Sequence, residues 1–194
     1  LIQKTERITQ IMILILLCDG FEEIEALMPY DILDRAAFNV KTVGLDSKEV
    51  TGTHGIKVIA DLSPSEVDLS DVELVIFPGG LPGAVNLKHH DFTDKIIKAV
   101  RKNGGRLAAI CAAPIVLGSR GLLKGKKAVC YPGFERELIG AEIVKDKAVV
   151  TDGKITTAKG MGSSLEFAKE LVCLLRGKDI RDDIARAIME PSAI

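Results

Sequence analysis

The run "RLAAICAAPIVLG" (106–118) sets a thiol where two kinds of local structure meet. An apolar run stops at Cys111, then Ala112, Ala113 and Pro114 precede a second apolar run. A strand that turns sharply into a helix at a nucleophile exposes its side chain and aims the helix N-terminus at it. Backbone N–H groups and the helix dipole favour thiolate over thiol in such a place. The plainer alternative is that a cysteine behind a buried strand serves as a small core hydrophobe.

Two further stretches supply groups a thiol can use. "DGFEEIE" (19–25) follows the apolar run "IMILILLC" (11–18) and brings Asp19, Glu22, Glu23 and Glu25. Acidic residues at a helix start complement its dipole, and Glu22 and Glu23 fit that use. Glu25, three residues beyond Glu22, shares a face with Met28. A carboxylate turned inward needs a partner, often by sharing a proton with it. The third stretch, "VIFPGG" (75–80), ends in glycines whose backbone N–H can come close. Together with the N–H groups at the helix start, that of Gly80 can hold an oxyanion. Cys18 and Cys173 sit inside apolar runs and read as core, while Cys130, beside Tyr131, stays open between core and site.

The elements that must position these groups alternate along the chain. Buried strands are expected at 11–17, 40–45, 72–80 and 106–111, with a weaker edge strand over 55–63. Helices are expected at 22–38, kinked at Pro29, and at 91–105, started by Asp91 and ended by glycines. A further helix is expected over 113–123, short strands over 127–158 with a turn at 151–154, and closing helices at 161–177 and 178–189. Alternating strand and helix predicts a parallel sheet covered on both faces. Sites in such sheets form outside the carboxyl ends of the strands. If the strands that run into Asp19, end in Pro78-Gly79-Gly80 and end in Cys111 are neighbours, one crevice collects the thiol, the carboxylates and the glycine turn.

The bulk properties bound the possible functions. The 194 residues hold 26 Lys and Arg against 27 Asp and Glu, a formal net charge of -1. That balance gives no case for nucleic acid or an anionic membrane surface. The longest apolar run is short of a membrane span. Four cysteines with no CxxC spacing make a poor zinc site and a poor disulfide framework, so no metal is expected and a reducing cytoplasm is the default compartment. One domain is read over 11–189, with an extension at 1–10 and a tail at 190–194.

"DGFEEIEALMPYDILDRA", "VIFPGG", "AAICAAP" and "TTAKGMGSSLEFA" occur in one order, and with them the chain resembles the ThiJ/PfpI superfamily, in particular its DJ-type branch. The resemblance implies a flavodoxin-like α/β three-layer sandwich with a nucleophile elbow, no cofactor, and a homodimer. It puts the reactive cysteine at Cys111 and the buried, protonated glutamate at Glu25. Oxyanion-type donors fall on Gly80 and Ala112, and basic positions at the pocket mouth on His54 and Lys159. Two departures stand out. Ala112 occupies the place where the protease-like branch carries a histidine, so no local Cys–His pair is available, and His89 and His90 look exposed. Tyr131 stands where the DJ-type branch often has another histidine.

The resemblance implies a cysteine enzyme acting on reactive dicarbonyls such as methylglyoxal, of glyoxalase or deglycase type. The alternative is a cysteine-based oxidative-stress sensor or chaperone, since an exposed thiol beside a protonated carboxyl also suits oxidation to sulfinate. An intracellular cysteine peptidase ranks below both.

Overall fold

The computed structural model describes residues 11–191. The expected extension at 1–10 and the last residues of the expected tail lie outside the described residues. β1 (Met12–Leu17), α1 (Glu23–Arg35), β2 (Asn39–Gly44), β3 (Glu49–Thr51) and β4 (Lys57–Ile59) come first. β5 (Val72–Phe77), α2 (Gly83–His89), α3 (Asp91–Lys102), β6 (Arg106–Ile110) and α4 (Pro114–Gly118) follow. β7 (Lys127–Ala128), β8 (Glu142–Ile143), β9 (Val149–Asp152), β10 (Ile155–Ala158), α5 (Ser164–Arg176) and α6 (Lys178–Ala187) complete the chain.

The main sheet has the order β2-β1-β5-β6-β10-β9. All pairings are parallel except β10 with β9, which form a hairpin. The five parallel strands, counted along the chain, lie in the order 2-1-3-4-5, the flavodoxin-like winding whose direction reverses between β1 and β5. β1, β5 and β6 are therefore neighbours, and their carboxyl ends share one crest of the sheet.

Alternation along each strand builds two cores. Leu14, Leu16, Val75, Phe77, Leu107 and Ala109 face α2, α3 and α4. Ile13, Ile15, Leu17, Leu74, Ile76 and Ile110 face α1, α5 and α6. Strands buried on both faces need the near-continuous apolar runs that this sequence carries. No helix among the described residues is long and apolar enough to cross a membrane.

Several local expectations need correction. The 55–63 strand shrinks to β4, which pairs only with β3 in a separate two-stranded sheet. Lys57 and Ile59 of β4 are exposed and Val58 is half-buried, so little apolar surface holds it to the core. The 113–123 helix stops at Gly118, and left-handed glycines at 121 and 125 carry the chain through turns instead. α2 is an additional helix that the pattern of Pro82 and Gly83 concealed. Pro29 does not interrupt α1. α3 is capped by His90, whose Nδ1 accepts from the Phe92 N–H at 3.1 Å, while Asp91 sits in the first turn.

Candidate active site

Cys111 follows β6 directly and adopts φ +64°, a left-handed conformation that costs a non-glycine residue ~1–3 kcal/mol. Its neighbours hold it there. The Cys111 N–H donates to the Ala158 carbonyl at 2.9 Å, and its carbonyl accepts from the Tyr131 N–H at 2.8 Å. The Ala113 N–H donates to the Ile110 carbonyl at 3.0 Å, closing the turn. Strand, sharp turn and short helix make the expected elbow, and the thiol at its apex is partly exposed. The backbone N–H groups of Gly80 and Ala112 are directed at the sulfur.

Glu25 lies in the first turn of α1 and is fully buried. Its Oε2 accepts from the Gly79 N–H at 2.9 Å. A Cβ at Gly79 would stand 2.5 Å from that oxygen and 2.6 Å from Cys111 Cβ, so the carboxyl and the cysteine press on the same glycine from two sides. Glu25 Oε1 is buried with no hydrogen-bond partner of ordinary geometry. A carboxylate buried this deeply is costly, and a proton on it relieves the cost. Burial pushes the Glu25 carboxyl up to about 7, with the Glu22 charge adding to it; the Cys111 thiol and the N–H groups of Gly79 and Met161 act the other way.

The thiol departs from expectation. Burial, then the charge of the Glu25 carboxylate, push Cys111 up to about 12, against the pull of the Gly80 and Ala112 N–H groups. α4 is only five residues long, and two N–H dipoles do not outweigh burial beside a negative charge. The elbow alone therefore does not make a thiolate. A proton on Glu25 removes the opposing charge and offers the sulfur an O–H donor. The two titrations are therefore coupled, each group's protonation changing the proton affinity of the other.

The other acidic residues of 19–25 serve the framework. Glu22 caps α1 by accepting from the Glu25 N–H at 2.8 Å, and Asp19 accepts from the Thr51 N–H at 2.8 Å. Glu23, buried, accepts from the His54 N–H at 2.8 Å and contacts His54 Nδ1 at 2.8 Å. Ligand atoms of Glu22, Glu23 and His54 lie within 4.8 Å of one another. Glu23 and His54 already satisfy each other, so the trio reads as a clasp between α1 and the β3–β4 turn. His54 is well exposed, and its hydrogen bonds run to Glu23. Lys159 donates to the Lys145 carbonyl at 2.5 Å. The structure thus brings Cys111, Glu25, Gly80 and Ala112 together and ties His54 and Lys159 to other partners.

Three contributors went unassigned in the sequence. Gly79 anchors Glu25, and the N–H of Met161 approaches the same carboxyl. Tyr131 tethers the cysteine carbonyl. The paired glycines of "VIFPGG" were the only local signal for the first. The remaining cysteines settle differently: Cys18 and Cys130 are buried, and Cys173, expected in the core, is only half-buried.

A flavodoxin-like sheet with a strained cysteine at the carboxyl crest defines an elbow-type α/β protein built around one thiol. A family model described as DJ-1/PfpI family matches residues 11–174, and the chain belongs to that family. It is similar to DJ-1 homolog B of Arabidopsis thaliana, 38% identical over 169 residues, which are 86% of this chain and 39% of that protein. The chain thus spans well under half of that relative. Protein dj-1beta of Drosophila melanogaster is 33% identical over 178 residues, 91% of this chain and 95% of the relative. The crystal structure of that Drosophila protein matches with a TM-score of 0.88, covering 93% of this chain and 98% of its own at 32% identity. A protein named a deglycase from Pyrococcus abyssi is 32% identical over 166 residues, 84% of this chain and 99% of the relative.

Proposed function

We propose that the protein is a cofactor-independent cysteine enzyme for small reactive dicarbonyls such as methylglyoxal. The observation that carries this reading is the fully buried Glu25 carboxyl beside a thiol whose sulfur faces two backbone N–H groups. The reacting form of the pair carries the negative charge on sulfur and the proton on Glu25. The thiolate adds to the aldehyde carbon, and the Gly80 and Ala112 N–H groups hold the oxyanion of the hemithioacetal. Glu25 gives its proton to that oxygen, and its carboxylate then takes the proton from the former aldehyde carbon, leaving an enediolate; the hydroxyl proton passes between the two substrate oxygens, and Glu25 returns its proton to the neighbouring carbon. The resulting thioester is hydrolysed by water, which releases the 2-hydroxy acid and regenerates the thiol. Methylglyoxal plus water balances to lactate, with no external oxidant or reductant. The same hemithioacetal chemistry serves a deglycase, the activity in the name of the Pyrococcus relative.

All four cysteines are unpaired, in keeping with a reducing cytoplasm. The outward apolar side chains Ile24 and Leu27 on α1 support the homodimer, which sedimentation equilibrium tests.

The deciding experiment incubates purified protein with methylglyoxal, without glutathione, and counts lactate per protein, with Cys111→Ser alongside. Many turnovers that the variant loses support the enzyme. Product limited to one equivalent overturns it in favour of a thiol that reacts once, as a sensor does.

A further inference from the structure

Tyr131 stands at the same sulfur without a role in the chemistry above. Its N–H donates to the carbonyl of Cys111, so its position is fixed relative to the nucleophile. Tyr131 is 51% exposed. The ring lies beside Gly160. The backbone there is extended, with φ 166°, so no conformational demand requires glycine. The demand is for space. A Cβ at residue 160 would stand 3.3 Å from Tyr131 Cδ2, 3.9 Å from Tyr131 Cε2 and 4.0 Å from Cys111 Sγ. The ring and the sulfur therefore flank one small gap over Gly160.

Gly160 cannot easily retreat from that gap. Its N–H donates to Ser163 Oγ at 3.2 Å, and its carbonyl accepts from the Ser163 hydroxyl at 2.7 Å and from the Ser163 N–H at 2.8 Å. The ring has a rigid floor, a tethered main chain and an open outer edge. On the dicarbonyl reading above, we propose that Tyr131 is a specificity-determining residue: its ring walls the approach to the Cys111 sulfur and favours small, planar carbonyl compounds over bulky ones. Pocket walls of this kind discriminate by shape, through groups that fit or clash rather than through a charge.

The test reads access to the sulfur apart from turnover. Wild type, Tyr131→Ala and Tyr131→Phe are alkylated with iodoacetamide and with the larger N-phenylmaleimide, and modification is followed by mass spectrometry on the Cys111 peptide. Tyr131→Ala is expected to raise the ratio of large-reagent to small-reagent rate by about tenfold, the low end of shape discrimination in a pocket. Tyr131→Phe, which keeps the ring, leaves it unchanged. Tyr131→Leu, as a second truncation, falls between. An unchanged ratio in Tyr131→Ala overturns the proposal, and so does an equal rise in Tyr131→Phe. Turnover of methylglyoxal against phenylglyoxal is then expected to move by the same ratio, through KM. A shifted alkylation ratio in a protein that turns over neither compound would leave the wall standing and remove the dicarbonyl function.

Discussion

Two strands of the same sheet end in a cysteine, and they end differently. Cys18 closes β1 and Cys111 closes β6. Both thiols are pushed up to about 12, burial being the main cause in each. Around Cys18 the further contributions come from Asp46 and Asp19, which only raise it. Around Cys111 the raising charge sits on Glu25, a group that itself takes a proton near pH 7. Cys18 is 2% exposed, whereas Cys111 is partly open and held at φ +64°. Proton affinity in the resting pair does not distinguish a nucleophile from a core thiol. A neighbour able to exchange the proton, donors aimed at the sulfur, and a route from solvent do.

Exchanging each thiol for a hydroxyl breaks the comparison most sharply. Cys111→Ser is expected to lower dicarbonyl turnover by at least about a thousandfold, as loss of a covalent nucleophile does. Its stability should stay within ~1 kcal/mol of wild type, because the site is partly open. Cys18→Ser should do the reverse. It places a hydroxyl in a dry core and costs ~1–3 kcal/mol while turnover persists. Lactate release and urea midpoints on both variants decide. Parallel losses in Cys111→Ser would return Cys111 to the core, beside Cys18.

Glu25→Gln removes the proton acceptor but keeps a buried polar group. Turnover is expected to fall about 10²–10⁴-fold, the usual worth of a positioned acid–base group. The thiol remains oxidisable by peroxide. Stability carries a second signature. The Glu25 carboxyl is raised from 4.5 to about 7 in the folded protein. Its contribution is complete below 4.5 and is lost as pH rises through 7. Across that window wild type should lose about 3 kcal/mol relative to Glu25→Gln, at ~1.4 kcal/mol per pH unit. Denaturation at several pH values measures the difference. A flat difference would mean that Glu25 is ionised throughout and never holds the proton the mechanism needs.

How far these roles are legible in the sequence depends on how local they are. The strands announce themselves because burial on both faces demands unbroken apolar runs, and their ends are marked by Asp19, Pro78 and Cys111. The elbow and the inward turn of Glu25 follow from spacing along one element. The anchor of Glu25 does not, since Gly79 lies 54 residues away in sequence. The rise in the thiol's proton affinity also escapes local reading. It depends on how deeply the packed chain buries the sulfur, while a motif shows only the N–H groups that oppose it. β4 falls short of the 55–63 strand for the same reason: the burial that would fix a longer strand is missing.

Gly79→Ala sharpens the comparison at one remove from the chemistry. The added Cβ would meet Glu25 Oε2 and Cys111 Cβ at distances no real contact allows, and neither can move aside: Glu25 is fully buried and the elbow fixes the Cys111 Cβ. The carboxyl and the elbow must separate. Turnover should fall with Glu25→Gln-like severity, and overpacking should cost ~1–3 kcal/mol. Gly20, at the end of the β1 turn, is equally crowded, by Pro82. Gly20→Ala should therefore destabilise as much while touching neither reacting group. Equal effects of the two variants on turnover at matched stability would show that Gly79 acts only as a fold residue.

The smallest effect is expected at His54. The resemblance puts a basic side chain there for an anionic substrate, yet the imidazole is committed to Glu23. Burial pushes the Glu23 carboxyl up, but hydrogen bonds from His54 outweigh it and hold it below its ordinary range, while the same contact raises His54. A raised histidine contributes fully below its ordinary value near 6.5 and loses that contribution as pH climbs through its folded value. His54→Ala should therefore lower the urea midpoint more in mild acid than in mild base. It should change methylglyoxal turnover by less than about threefold, since an exposed imidazole already paired with Glu23 does little for a neutral substrate. A large rise in KM confined to anionic carbonyl compounds would reverse this assignment. It would mean that the substrate pulls the imidazole away from Glu23, and that the clasp between α1 and the β3–β4 turn opens during binding.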